Sequence, residues 1–270
     1  MTSFEQQIQE AEAKIRAQPA SAAHRWALFQ LLCMTGDWTR AIQQLQLWAK
    51  LGKEQDRMAQ VFRDLIRAEC WRAKVMTGEE RPSFVLEPPA WVEGLAEALR
   101  LSAEGRIDEA DATREAALDA APLTVARTPQ GIAEWVADSD SRLGPVFEIV
   151  TAGHYRWVPF ADIATWHVTP PSALIDLVWA PCVLTLVDGS IVRGFVPARY
   201  AGSESGSDAI RRGRETLWRE SGRTGVIALG RKTWATAQGD FGVFDWLLAD
   251  FGARATADAQ VAQEGGRDPS

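Results

Sequence analysis

The amino-acid sequence changes character near Pro122, and this change limits the possible folds more than any other feature. Before Pro122, Ala, Gln, Glu, Arg and Leu predominate, a composition typical of helices. After it, short apolar runs rich in Val and Trp are separated by Gly and Pro, which is typical of strands. The first part carries 15 basic and 19 acidic residues and the second 14 and 17, so the boundary is not electrostatic. We therefore predict an α+β protein.

The predicted organisation has three parts. Residues 1–122 form a tetratricopeptide-like antiparallel helical domain, residues 123–251 form a smaller α+β domain with antiparallel strands, and residues 252–270 form a tail that frays. Apolar residues recur at helical spacing in the first part, with Ser3 as a cap and Gly36 as a break. The predicted helices span 2–17, 21–34, 38–49, 54–76, 90–103 and 107–120, with a loop over 82–89.

Two short segments of the helical part share one pattern. Gly36 and Gly105 are each followed by an apolar residue two positions later and by Ala five positions later. The segments lie 69 residues apart, about twice the ~34-residue period of tetratricopeptide repeats. The copy expected between them, near Cys70, is missing, so a generic antiparallel bundle explains the pattern equally well. Either arrangement leaves grooves that hold peptides or helices.

Alternating apolar runs predict the strands of the second part. The clearest is a hairpin around Asp188-Gly189, because Asp-Gly supplies the positive φ angles of a tight reversal. The stretch 211–220 is predicted as a short helix, on which Glu215 and Arg219 would pair at i, i+4. The remaining predictions are strands over 146–150, 155–159, 182–187, 191–196 and 225–229, a helical or extended segment over 170–179, and a terminal helix over 243–251.

Composition disfavours several classes of function. The formal net charge of −7 argues against a nucleic-acid partner, which normally requires a basic surface. The 3 cysteines, Cys33, Cys70 and Cys182, include no CxxC pair and suit a reducing compartment. The sequence shows neither a secretory signal nor the roughly 18 consecutive apolar residues of a membrane helix. We expect a soluble, cytoplasmic protein that does not insert into membranes.

No arrangement of a nucleophile and a base stands out. The sequence lacks a GxSxG elbow, and its 3 histidines are His24, His154 and His167. Cys182 lies in a predicted strand and is interpreted as a small buried apolar residue. A metal site built from His154, His167 and Cys182 would match no tight ligand spacing. The glycines of 202–206 are not followed by Lys and predict no phosphate loop. We expect no metal and no cofactor.

The densest polar cluster spans residues 138–142. Asp138 and Asp140 lie two positions apart and could bind a hard cation or act as acid and base. The simpler interpretation, which we favour, is a loop whose Asp and Ser side chains cap backbone amides while Arg142 pairs with an acid.

The chain has 12 Trp but only 2 Tyr. The five Trp residues before Pro122 fall on apolar helical stripes, which indicates core or inter-helix positions. The seven that follow are more than a core of that size needs. Because Trp is favoured at interface hot spots, we expect some of these seven to line a binding surface and most to lie in the core.

A longer motif lies in the second part of the chain. The run from Trp135 to Glu148 reads WVADSDSRLGPVFE and is continued from Gly153 by GHYRWVP. It resembles the signature of the ImpE/SciE family of type VI secretion accessory proteins, also called TagJ. The similarity continues through 176–181, 196–200 and 213–218, and the segment at Gly36 fits as well.

The resemblance implies a tetratricopeptide-like helical domain joined to an α+β domain, with a non-enzymatic role. It implies binding to the N-terminal helix of the small (TssB-like) subunit of a contractile sheath, and a link from the sheath to the AAA+ disassembly ATPase ClpV. It does not assign contact residues one by one. The candidates for partner binding or for the domain junction are Trp135, Asp138, Asp140, Arg142, Trp157, Arg199, Arg214 and Trp218.

Two alternatives of other classes stay open at this point. A hydrolase-like enzyme would use Asp138, Asp140, His154 and His167, and it would need a pocket in which a His contacts the carboxylates. Burial of both carboxylates in salt bridges would argue against it. A general tetratricopeptide co-chaperone would bind other peptides instead.

Overall fold

The computed structural model describes residues 2–252, and the predicted tail over 252–270 lies almost wholly outside this range. Six long helices form the first part of the chain, and a four-residue helix, α7 (Asp208–Arg211), lies in the second. None of the helices in the described range is long and apolar enough to cross a membrane. The long helices are α1 (Phe4–Ala17), α2 (Ala22–Thr35), α3 (Trp38–Ala49), α4 (Lys53–Met76), α5 (Ala90–Ala103) and α6 (Ile107–Ala120).

Local capping fixes the starts of α1 and α2 and the end of α2. The Ser3 hydroxyl accepts a hydrogen bond from the backbone N–H of Gln6, and the Gln6 side chain accepts one from the N–H of Ser3. Ser21 caps α2 through the N–H of His24. Gly36, with φ of 71°, takes the left-handed conformation that ends α2 before α3 begins. The observed bounds of all six long helices lie within two residues of the predicted ones.

The helices pack as neighbours along the chain: α2 lies against α1 and α3, α3 against α4, and α5 against α6. Helix α4 runs without interruption through Cys70, where the missing repeat copy was expected. Its last turns also contact the sheet.

Most of the second part consists of short strands, and one further two-residue strand lies in the first part, between α4 and α5. The strands are β1 (Ser83–Phe84), β2 (Ala126–Thr128), β3 (Gly131–Ala133), β4 (Val136–Asp138), β5 (Val146–Thr151), β6 (His154–Pro159), β7 (Ile163–Val168), β8 (Trp179–Leu186), β9 (Ile191–Pro197), β10 (Thr216–Ser221), β11 (Gly225–Gly230), β12 (Thr233–Thr236), β13 (Gly239–Gly242) and β14 (Leu248–Asp250).

Nine of these strands form one sheet in the order β1-β6-β5-β9-β8-β7-β14-β2-β3. Its pairs are antiparallel apart from β1 and β6, so the prediction of an α+β fold with antiparallel strands is confirmed. A three-stranded sheet, β13-β12-β4, and a hairpin, β10-β11, accompany it.

Three local predictions are wrong. Residues 216–221 form strand β10 and not the end of a helix, so Glu215 and Arg219 do not share a helical face. Residues 243–251 form turns followed by β14, which pairs with β7 and β2, because the backbone of this segment completes the large sheet. The predicted loop over 82–89 contains β1, whose two residues pair with β6.

The large sheet separates two apolar cores. On one face, alternate residues of β5 and β6, such as Val150 and Trp157, join the core formed with the helices. On the other face, Phe147, Trp166 and Trp234 belong to a second core with the smaller sheet. Five of the seven Trp residues after Pro122 are buried, as expected: Trp157, Trp166, Trp179, Trp234 and Trp246.

Candidate functional site

A charged residue lies on the core-facing side of β5. Side chains alternate along a strand, so Glu148 points to the same face as Val146 and Val150, towards the helices. Its carboxylate is completely buried and accepts a hydrogen bond of 2.6 Å from the Tyr155 hydroxyl. The Trp157 indole N–H donates in turn to the Tyr155 oxygen at 2.6 Å. Such a carboxylate needs positive partners, because an isolated buried charge is strongly unfavourable.

Helix α4 supplies one of these partners. Arg72 is 1% exposed and donates to both carboxylate oxygens of Glu148, from Nε at 2.7 Å and from Nη2 at 3.0 Å. Its Nη1 contacts Glu69 one turn earlier at 2.9 Å, and the other oxygen of Glu69 accepts from the Trp179 indole at 3.0 Å. The helical part and the large sheet are therefore joined by a bidentate ion pair inside the protein.

Lys232, which precedes β12, is the second positive partner. Its ammonium group is fully buried and contacts Glu148 at 2.6 Å and also the carboxylate of Asp138. Asp138 accepts a further hydrogen bond of 2.9 Å from the Tyr200 hydroxyl. Burial raises the pKa of Asp138 to about 6, and the neighbouring Lys232 ammonium opposes this shift. For Glu148, burial is outweighed by Arg72 and Lys232, which hold its pKa well below the ordinary 4.5.

The loop after β4 is organised by its own side chains. Asp138 accepts from the backbone N–H of Asp140 at 2.9 Å, and Asp140 accepts from the N–H of Arg142 at 3.0 Å. The Arg142 guanidinium forms a two-pronged pair with Asp140 and donates to the carbonyl of Met76, the last residue of α4. Asp140 also accepts from the N–H of Ala228 in β11. The loop thus connects α4, β4 and β11.

Arg199 extends from the segment after β9 to the end of α2. It is 3% exposed and donates to the carbonyl oxygens of Cys33 at 2.9 Å and Met34 at 2.8 Å. Carbonyl groups in the last turn of a helix have no partner within the helix and carry partial negative charge, so a buried cation is favourable there.

Together these residues form one largely buried charge cluster with equal numbers of acidic and basic groups, which Arg199 joins through its carbonyl oxygen, the acceptor of a 3.2 Å hydrogen bond from Arg72. It has four cations, Arg72, Arg142, Arg199 and Lys232, and four anions, Glu69, Asp138, Asp140 and Glu148. We call this set the buried network. Of the residues predicted from the sequence, the structure brings Asp138, Asp140, Arg142, Trp157 and Arg199 together here.

The buried network lacks the features of a catalytic site. Asp138 and Asp140 are at most 3% exposed and are held by Lys232 and Arg142. Among the described residues, neither carboxylate hydrogen-bonds to a histidine, and both His154 and His167 lie on the surface. No group of three or more His, Cys, Asp or Glu side chains in the described range is placed to hold a metal. The geometry therefore argues against the hydrolase-like alternative.

The other predicted residues lie elsewhere. Trp135 is half-buried beside a cavity of about 280 Å³ between the end of α6 and β4. Trp218 is 48% exposed on β10, next to the exposed Leu217, and Arg214 is exposed shortly before that strand. These three are not part of the buried network.

A second feature was not predicted from the sequence. Two cavities of about 400 and 250 Å³ lie along α4, on either side of the turn between β5 and β6. The turn approaches α4 at Asp64 through Gly153, and Ala152 before it has a positive φ of 49°. We call these two cavities with their walls the α4 groove. Its lining includes Val61, Asp64, Leu65, Arg67, Ala68, Cys70, Trp71 and Lys74 from α4.

Sequence reasoning also missed half of the buried network. Glu148 could have been found, because a lone acid stands at a core-facing position of an apolar strand. Glu69 could have been found too, since it falls in phase with the apolar stripe of α4. Arg72 and Lys232 have no comparable signal in the sequence.

The sequence of this chain is similar to those of known proteins. The family model described as "ImpE protein" matches residues 131–247. The type VI secretion system accessory component TagJ of Pseudomonas aeruginosa is 39% identical over 241 residues, which cover 89% of this chain and 84% of that protein. This chain belongs to the ImpE family.

A solved relative agrees with the fold. The crystal structure of protein VPA1032 from Vibrio parahaemolyticus superposes with a TM-score of 0.83 at 26% identity, covering 92% of this chain and 93% of that chain. The matched ImpE segment contains Asp138, Glu148 and Lys232, whereas Arg72 of α4 lies outside it. The ImpE segment of this chain therefore depends on the helical part to neutralise one of its buried acids.

Proposed function

We propose that this protein is a cytoplasmic, non-enzymatic accessory protein of a type VI secretion system that binds the N-terminal helix of the small subunit of the contractile sheath. We further propose that it links the sheath to the ClpV disassembly ATPase. The observation that carries the proposal is the 39% identity to TagJ over 89% of this chain, since TagJ is an accessory component of such a system.

The geometry supports a binding role over catalysis. The acids that could have served as catalytic groups are buried in ion pairs at the contact between helices and sheet. The α4 groove is an accessible concave surface along a long helix, and apolar grooves of this kind bind amphipathic helices.

A pull-down with the purified protein tests the sheath interaction. The purified protein is immobilised and incubated with the small sheath subunit, which is either complete or lacks its first ~20 residues. As a helix, these residues would span about 30 Å. We expect retention of the complete subunit only. Equal retention of both forms would defeat the proposal and favour a general co-chaperone that recognises other segments.

The ClpV link is tested in the same format. A ClpV-type ATPase is added to immobilised protein with and without the complete sheath subunit. We expect the ATPase to be retained by the protein alone or by the assembled pair, in amounts above a bare resin. Retention on neither would remove the link from the proposal while leaving the sheath interaction intact.

A further inference from the structure

We infer that the partner helix docks in the α4 groove and that it presents two apolar side chains about two turns apart, flanked by carboxylates. This inference rests on the proposed function, which names a helix as the partner but not the surface that receives it.

The apolar part of the groove is exposed where a helix surface is normally polar. Val61 and Trp71 are each 38% exposed, and Leu65 and Ala68 form the floor between them. Trp contributes a large contact area at little cost in conformational entropy and is enriched among residues that dominate binding energy. Trp71 is therefore the main anchor expected on this side.

The charge of the groove selects an acidic partner. Arg67 and Lys74 line the larger cavity, and Arg193 of β9 lines the smaller one. The one acid of the lining, Asp64, is already paired with Arg67 at 2.7 Å. Among the described residues, the Lys74 ammonium has no ion-pair partner. The rim of the groove is therefore positive, although the chain as a whole has a net charge of −7. Positive charge at the rim favours carboxylates beside the apolar face of the docked helix.

The dimensions of the groove fit a helix of moderate length. From Val61 to Lys74, α4 extends about 20 Å, which equals about 13 residues of a docked helix. The turn at Gly153 divides the groove, so one apolar side chain would enter on each side of it. The centres of the two α4 walls lie about seven residues apart, about 10 Å, which corresponds to anchors at i and i+7 on the partner.

Strand β10 offers an exposed apolar surface that competes with the α4 groove. Strand β10 carries the exposed Leu217 and Trp218, and in the described part of the chain it pairs on one side only, with β11. Such an edge would take an extended segment and not a helix. Because the proposed partner segment is a helix, the structure favours the α4 groove.

The native cysteines provide a direct test. Cys70 lines the larger cavity and is exposed, whereas Cys33 and Cys182 are buried. A peptide of the first ~20 residues of the sheath subunit, about 30 Å long as a helix, is titrated calorimetrically into the wild-type protein. Alkylation of Cys70 is then timed at saturating peptide. We expect binding together with at least a fivefold slower alkylation.

Matched variants test the contacts. We expect Trp71→Ala to weaken peptide binding at least about tenfold and Lys74→Glu about three- to tenfold, the latter more strongly at low salt. Trp218→Ala, on the competing strand, and Lys14→Glu, also an exposed lysine in the last turn of a helix, should bind like the wild type. Circular dichroism of each variant verifies its fold.

The outcomes separate the inference from the proposed function. If the wild-type protein does not bind the peptide, the proposed function fails. If it binds while Cys70 reacts at the same rate and Trp71→Ala binds normally, the α4 groove is the wrong surface. A loss confined to Trp218→Ala would move the docking site to β10.

Discussion

At the scale of single residues, Glu148 is a fully buried acid with two buried cationic partners. Its carboxylate balances both Arg72 and Lys232 without access to water. Removing one member of a buried ion pair leaves its partner without compensation, and this costs more than the pair itself contributes. Arg72 and Lys232 would both lose part of their compensation if Glu148 became neutral.

We therefore predict that Glu148→Gln lowers the free energy of unfolding by about 3–5 kcal/mol at neutral pH. Urea unfolding followed by Trp fluorescence measures the change. Glu115→Gln is the control, since Glu115 forms an exposed ion pair with Arg223 at 2.7 Å, and such pairs contribute little. A Glu148→Gln variant as stable as this control would contradict the assigned ion pairs.

The same group predicts a pH dependence. The ion pairs hold the pKa of Glu148 below its ordinary value of 4.5, so below that value the unfolded state binds the proton that the folded state lacks. The contribution of the Glu148 carboxylate to the free energy of unfolding is complete above pH 4.5 and is lost as the pH falls below that value. The difference between wild type and Glu148→Gln should thus shrink below pH 4.5 in urea titrations. A difference independent of pH would show that the carboxylate charge is not the cause.

At the scale of elements, the helices could be predicted closely because their signals are local. Ser3, Ser21 and Gly36 act within one turn, and the structure uses all three. Strand β10 could not be recognised, because Glu215 and Arg219 imitate a helical pair while the pairing with β11 decides the structure. Strand β14 depends likewise on β7 and β2, which are distant in sequence.

The contacts of the buried network likewise include local ones, which could be predicted, and distant ones, which could not. The cap-like contacts of Asp138 and Asp140 lie within two residues and could be predicted from their spacing. The partners Lys232 and Arg72 are separated from Asp138 and Glu148 by 94 and 76 residues, so only the fold brings them together. The α4 groove needs the turn at Gly153 to form its second wall, and no local pattern shows that contact.

Three side chains of α6 hold the turn of the β10-β11 hairpin: Asp111, Arg114, which donates to the Thr224 hydroxyl at 2.9 Å, and Glu115, which forms the exposed pair with Arg223. Asp111 accepts hydrogen bonds from the backbone N–H groups of Arg223 at 2.6 Å and Thr224 at 3.2 Å, in the turn of the hairpin. The Arg223 contact chiefly lowers the pKa of Asp111 to about 2. The attachment should therefore persist at neutral pH and weaken as the pH falls from 3.8 towards 2.

We predict that Asp111→Ala loosens this hairpin, because in the described part of the chain Asp111 is the only one of these three α6 side chains that binds backbone N–H groups of its turn. Hydrogen exchange of the β10 and β11 amides should accelerate at least about tenfold, while exchange in β5 and β6 stays unchanged. Asp108→Ala, in the exposed first turn of the same helix, is the control and should leave the hairpin protected. Unchanged exchange in Asp111→Ala would mean that other contacts hold the hairpin.

At the scale of the whole molecule, the helical part and the large sheet share a core. Leu65 and Ile66 of α4 belong to the same apolar cluster as Val150 and Trp179 of the sheet. The buried network crosses the same boundary. The two parts, predicted from composition as domains 1–122 and 123–251, thus depend on each other for burial of both apolar and charged groups.

We expect the protein to unfold in one cooperative step. Far-ultraviolet circular dichroism reports mainly on the helices, and Trp fluorescence reports on both parts, so the two transitions in urea should coincide. A midpoint for the helices distinct from that of the fluorescence would show that 1–122 and 123–251 unfold independently.

The position of β14 in the large sheet determines when that sheet can be completed during synthesis. Strands β2 and β3 are made early in the second part, yet they join the large sheet only through β14, at residues 248–250. Until the ribosome releases those residues, the outer edge of β7 stays open and β2-β3 has no place in the sheet. A fragment that stops before residue 248 would therefore keep an exposed strand edge, and we expect it to aggregate where the full chain stays in solution.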